Sequence, residues 1–216
     1  CGHGMFLEGF SKKFNKVLVL DFSLSYLLLA KKICSEKKIS NTFFICANAE
    51  NLPIKKNKID FIHSNNVIEH VDNQKKMISE IERVLLPNGF LFLLSPNKNS
   101  IYFEPHFNLP LYGFIPFKIR SWLVNKMHNR DCREVKLLSF RDLKKIFNSS
   151  FKGKHHFTFI PSKLKITAQK SLSRTVIVTL LNLKFIGIFT TVMVNKIFIG
   201  IMPYHVIIGE KGILKN

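Results

Sequence analysis

Acidic residues are scarce. The 216-residue chain carries 14 Asp and Glu against 33 Lys and Arg, and between Leu143 and Gly209 there is no acid at all. An excess of positive charge speaks about partners and not about fold. It suits attraction to nucleic acid, an acidic lipid surface or a phosphorylated substrate, and it equally suits drift in a sequence heavy in Lys, Asn, Ile and Phe. Cysteine is sparse too. Cys1, Cys34, Cys46 and Cys132 form no C-x-x-C pair, so neither a zinc ribbon nor a disulfide scaffold is expected. Buried free thiols in a reducing compartment, the cytoplasm, fit better. No metal is expected: His155 and His156 are adjacent, and neighbours on a strand point to opposite faces. A transmembrane span is disfavoured, because Lys184 and Lys196 interrupt the apolar residues 176–200, and a span needs about 20 mostly apolar residues. Internal repeats and low-complexity linkers are absent. An initiating Met is absent as well, which leads to the expectation that the natural N-terminus lies upstream of Cys1.

What is there is hydrophobic: 46% of residues, too many for a disordered chain and enough for one α/β domain with its own core. Two early glycines lead into an apolar Met5-Phe6-Leu7, read as a glycine loop entering a helix. Apolar runs at residues 16–21, 42–47, 58–64 and 90–94 read as strands. Residues 23–35 and 73–86 read as helices between them, the second with Met77, Ile78, Ile81, Val84 and Leu85 on one stripe and Pro87-Asn88-Gly89 as its stop. This alternation predicts a Rossmann-like α/β fold with a doubly wound, mostly parallel sheet. The rhythm breaks after the fourth visible strand. Residues 96–150, with four prolines and many aromatics, read as an insertion or lid that ends in a helix at 139–149. Residues 204–209 read as a last strand. The organisation expected is a single domain, 1–216, with a cofactor half at 1–95, the insertion at 96–150 and a substrate side at 151–216.

Gly2 and Gly4 form a G-x-G turn, which permits close backbone approach to a ligand. Asp21 ends the next strand, placed to accept hydrogen bonds from ribose hydroxyls. A dinucleotide enzyme and a methyltransferase fit equally to this point. Residues 46–53, CANAENLP, closely resemble the DAENLPF-type loop of class I S-adenosylmethionine-dependent methyltransferases of the type-11 group. Three more segments resemble that family in order: Asp21-Phe22-Ser23 with Leu28, Leu29 and Ala30; Ile59-Asp60-Phe61-Ile62 through Val67-Ile68-Glu69-His70-Val71; and Ile81 to Leu91 across Pro87-Asn88-Gly89.

The resemblance covers roughly residues 1–100. It implies S-adenosyl-L-methionine as cofactor, with Gly2, Gly4, Asp21, Asn48, Ala49 and Asn65 as the residues around it. Asn48 stands where the family has Asp and faces the adenine amino group, and an amide oxygen can still accept there. The family also has a strand ahead of the glycine loop, central in its sheet, and that first strand is missing here; open ladder edges and a chain folding poorly alone are expected. His70 and His106 are the candidate bases, weighed against roles in shaping a loop and a turn, and Glu69 is read as a residue that binds or orients. The implied reaction is methyl transfer to an O, N or C nucleophile of a small-molecule or lipid-like substrate. A degenerate binding module and an NAD or nucleotide-sugar Rossmann enzyme are the rival readings. Nucleic acid is disfavoured as a partner for want of an RNA-binding module. Residues 143–209, with ten bases and no acid, suggest peripheral contact with an anionic membrane.

Overall fold

The computed structural model describes residues 1–101, 103–158 and 204–212. Its elements run α1 (Leu7–Lys13), β1 (Val17–Asp21), α2 (Leu24–Glu36), β2 (Thr42–Cys46), β3 (Ile59–Asn65), α3 (Gln74–Val84), β4 (Leu85–Pro96), α4 (Phe117–His128), α5 (Phe140–Ser150), β5 (Lys154–Thr158) and β6 (Tyr204–Glu210), with single 3-10 turns on either side of α4. This is the α/β, Rossmann-like architecture expected. β1 pairs with β2 in parallel, and β3 pairs with β4 in parallel. β6 and β5 then continue the second sheet antiparallel, in the order β3-β4-β6-β5. Among the described residues, β1 and β3 each keep one edge without a strand partner.

Local chemistry explains the boundaries. Ser23 caps α2 by accepting the Tyr26 amide, Asn73 caps α3 by accepting the Lys76 amide, and Ser139 and Asp142 form a reciprocal capping box at α5. The end of α3 is a correction. The helix stops at Val84, and Pro87-Asn88-Gly89, expected as a turn, lies within β4. The register of β3 against β4 shifts between Ile59 and Phe61, absorbing the extra residues. Asn88 takes φ +63 there, and a Cβ on Gly89 would sit 2.9 Å from the Leu86 carbonyl oxygen, so the turn chemistry is used inside the strand.

The core lies where the periodicity put it. Met77, Ile78 and Ile81 of α3 meet Leu143, Ile146 and Phe147 of α5 over Leu91, Leu93 and Ile207 of the sheet. The alternate positions face the other way: Phe92 stacks on His63, and Phe10 and Phe14 of α1 pack on Phe61. Phe107, Tyr112, Val124, Cys132 and Val135 close a separate small core in the insertion. Cys34 and Cys132 are buried as expected, whereas Cys1 and Cys46 are exposed. His155, expected on the surface, is half-buried among Phe147, Phe151 and Phe157, while His156 is exposed. No helix among the described residues is long and apolar enough to cross a membrane. The apolar residues 176–200, and most of 143–209, lie outside the described residues.

Candidate active site

Parallel strands put their carboxyl ends on one edge, and the loops that leave those ends carry the functional side chains. At the end of β1, Asp21 accepts the Ser23 amide at 2.9 Å and the Gly2 amide at 3.2 Å, tying the glycine turn to the strand. Gly2 and Gly4 both take positive φ, +51 and +73. A Cβ on Gly2 would meet nothing within 4 Å, whereas one on Gly4 would touch Leu7 and Ala30. Gly2 therefore leaves room for a ligand, and Gly4 serves helix packing.

The loop after β2 lies beside Asp21, because the Ala47 amide donates to the Asp21 carbonyl at 3.0 Å. Asn48 folds this loop on itself: its Oδ1 accepts the Glu50 amide at 2.8 Å, so one lone pair of the oxygen expected to face adenine is already engaged. Ala49 packs against the main core.

A clamp that the sequence reading missed holds the rest of the loop. Arg83 donates to the carbonyls of Ile54 (2.7 Å) and Leu52 (2.9 Å) and pairs with Glu80, which accepts the Leu52 amide at 2.8 Å. The signal was an i, i+3 acid–base pair on α3, indistinguishable by spacing from a solvated surface pair. Arg83→Met is expected to lower cofactor affinity about three- to tenfold by freeing residues 48–54, a loss of roughly 1 kcal/mol of net hydrogen bonding. Calorimetric titration checks it, and an unchanged affinity would mean the loop holds its shape without the clamp.

The end of β3 carries the second cluster. Asn65 pairs with Leu94 in the ladder, and its side-chain oxygen is buried without a hydrogen bond among the described residues. Asn66 turns the chain at φ +53, leading to Glu69 and His70. His106 arrives from the insertion, 36 residues away in sequence, and its Nε2 lies 3.2 Å from Nε2 of His70. Glu104 is 2% exposed and accepts three times: from His106 Nδ1 (2.5 Å) and from the amides of His106 (2.9 Å) and Phe107 (2.8 Å). The Glu104-Pro105-His106 turn is thus structural and also brings His106 against His70, whereas the sequence reading weighed a structural turn against a base facing the substrate.

Glu69 is fully buried, and neither carboxylate oxygen makes a hydrogen bond among the described residues. Burial pushes its carboxyl up to about 7, against weaker pulls from its own amide and from His106. Burial also lowers His70, helped by the charges of His106 and Arg130, which favours its neutral form. The Lys136 amide donates to the Glu69 carbonyl at 2.7 Å. Beside this segment opens a depression of about 340 Å³, lined among others by Lys98, Tyr112, Arg120, Arg133 and Lys136.

Residues 1–93 match the family model described as a methyltransferase domain. Over that stretch, 93 of the 216 residues, the chain is similar to the class I S-adenosylmethionine-dependent methyltransferases. An uncharacterized protein of Methanocaldococcus jannaschii is 40% identical over 50% of this chain and 43% of its own length. Malonyl-[acyl-carrier protein] O-methyltransferase of Hamiltonella defensa is 28% identical over 69% of this chain and 58% of its own. The ubiquinone/menaquinone biosynthesis C-methyltransferase of Wigglesworthia glossinidia is 33% identical over 53% and 43%. The chain thus spans about half the length of these curated relatives. Among solved structures, the S-adenosylmethionine-dependent methyltransferase of Mesorhizobium loti shares the fold at a TM-score of 0.59 and 12% identity, covering 98% of this chain and 88% of that one.

Proposed function

We propose that the protein binds S-adenosyl-L-methionine and transfers its methyl group to an O, N or C nucleophile of a small or lipid-like acceptor. The observation that carries this reading is the placement of Asp21 and the 48–53 loop side by side at the carboxyl ends of paired parallel strands. Asp21 would take the ribose hydroxyls, Gly2 and Gly4 would shape the turn under the cofactor, Asn48 and Ala49 would meet adenine, and Asn65 would offer its unsatisfied amide oxygen. Held by these residues, the cofactor would supply the methyl carbon that the acceptor's lone pair attacks, with S-adenosylhomocysteine as the leaving group. The sulfonium supplies the activation, so the protein's task is alignment and proton handling.

Proton handling falls to the His70–His106 pair, which Glu104 orients. The depression beside Glu69 displays Lys98, Arg120, Arg133 and Lys136 and would suit an anionic part of the acceptor. Peripheral contact with an anionic membrane through residues 143–209 remains part of the proposal, supported by ten bases without an acid.

Asp21→Ala is expected to weaken S-adenosylmethionine binding at least about tenfold, as loss of hydrogen bonds to a charged acceptor amounts to roughly 1.5–3 kcal/mol. Isothermal titration measures this. Unchanged affinity would remove Asp21 from the site and the reading with it.

A further inference from the structure

We propose that Glu69, His70 and His106 bind a first-row divalent cation, with Glu104 holding His106 from behind. One potential ligand atom from each of the three side chains lies within 4.8 Å of the others. The His106 Nε2–His70 Nε2 distance is 3.2 Å, and His106 Nε2–Glu69 Oε1 is 3.7 Å. Ligand atoms each roughly 2.0–2.2 Å from one ion sit about 3–3.6 Å apart, so small side-chain rotations close the set. The sequence reading expected no metal. It weighed His155 and His156, whereas these ligands come from two loops that only the fold brings together.

Two features separate this cluster from a chance grouping. The first is Glu69, fully buried with both oxygens lacking hydrogen bonds among the described residues. A carboxylate in that state needs a proton or a cation beside it. The second is Glu104. Its contact with His106 Nδ1 makes that nitrogen the N–H donor, so the neutral imidazole would present its Nε2 lone pair toward His70 and Glu69. A carboxylate behind a ligating imidazole is the usual outer support of a metal-bound histidine. Two imidazoles and one carboxylate favour zinc, manganese, cobalt or iron over magnesium, and three protein ligands leave coordination positions open.

The ion's role in methyl transfer rests on the function proposed above; its binding does not. In an open position the ion would take an oxygen of the acceptor. The acceptor O–H would release its proton to solvent, the oxygen would form a bond to the methyl carbon, and the carbon–sulfur bond would break. With the ion bound, the two histidines would serve as ligands in place of the proton-handling role given them above, and the acceptor class narrows to one that presents an oxygen donor.

The test is titration of the full chain, free of any histidine tag, with Co²⁺, followed by visible absorption and calorimetry and repeated with Zn²⁺ and Mn²⁺. One Co²⁺ per chain with ligand-field bands is expected, lost in His70→Ala and in His106→Ala and retained in His155→Ala. Glu104→Gln is expected to weaken binding about 10- to 100-fold, as for other outer supports of metal ligands. S-adenosylmethionine affinity and the thermal melt of each variant report whether the fold survives. Failure of the wild-type chain to bind any of the three ions at one per chain would overturn the site, as would binding that persists in the His70→Ala/His106→Ala double variant. Cobalt binding without any S-adenosylmethionine binding would uphold the ion site and sink the methyltransferase reading. The converse would sink the ion site alone.

Discussion

Lys211→Leu is expected to lower the free energy of unfolding by about 2–4 kcal/mol, the range for leaving buried partners of a charge unsatisfied. Lys211 is 5% exposed, and its ammonium donates to Asn57 Oδ1 (2.8 Å), the Glu82 carbonyl (2.7 Å) and the Leu85 carbonyl (2.8 Å). All three of its donors are therefore used. The two carbonyls belong to the C-terminal end of α3, where helical acceptors lack partners and the helix dipole favours a cation. The backbone of Lys211 adds two bonds, its amide to the Gly89 carbonyl at 3.0 Å and its carbonyl from the Asn88 amide at 2.8 Å. One residue beyond β6 thus fastens that strand to the junction of α3 and β4. Leucine fills similar volume but abandons three acceptors, so apolar packing does not compensate. Urea denaturation measures the loss, and Lys211→Arg, which retains charge and donors, should recover part of it. A midpoint unchanged in Lys211→Leu would mean that water reaches these carbonyls.

The contrast between Lys211 and the α3 stripe shows which features a sequence exposes. Met77, Ile78, Ile81 and Val84 recur at helical spacing and are all buried, because periodicity is a local property that burial must obey. The caps at Ser23 and Asn73, and the left-handed Asn88, follow from single-residue chemistry in the same way. Lys211 reads as an ordinary terminal lysine, since its partners lie 126–154 residues earlier. The site divides likewise. Asp21, the glycine turn and the 48–53 loop are continuous motifs, legible as strand ends and loops. The Glu69–His70–His106 cluster depends on how the insertion folds back over the end of β3, and nothing in the spacing of residues 96–110 sets that return. Glu104-Pro105-His106 did mark a turn, but the partner of its histidine could not be read locally. The antiparallel pairing of β6 was also hidden: a strand's direction is set by the path of the chain before it, not by its own composition.

Between about pH 6.5 and 4, the wild-type protein is expected to lose stability that a His205→Leu variant keeps, because of one buried histidine. His205 lies in β6 opposite Ser95 of β4 and is fully buried, with its ring 5.9 Å from that of Phe140. Neither ring nitrogen has a hydrogen-bond partner among the described residues. Burial pushes its pKa down to about 4. In the unfolded chain the imidazole titrates near 6.5, so as the pH falls below that value the unfolded state takes up a proton that the folded state refuses. Stability is complete above the unfolded pKa, declines as the pH falls, and reaches its full loss of about 3 kcal/mol once the folded pKa is passed. Glu69 runs in the opposite sense. Its carboxyl is raised to about 7, so its contribution is present at low pH and is lost as the pH rises through that value. The difference between wild type and variant removes this second effect, since both proteins share Glu69. Urea titrations from pH 4 to 7.5 should give a stability difference that varies by about 3 kcal/mol across that range and levels off above pH 7. A difference independent of pH would mean that the folded protein protonates His205 as readily as the unfolded chain does, and that the β4–β6 interior admits a charge.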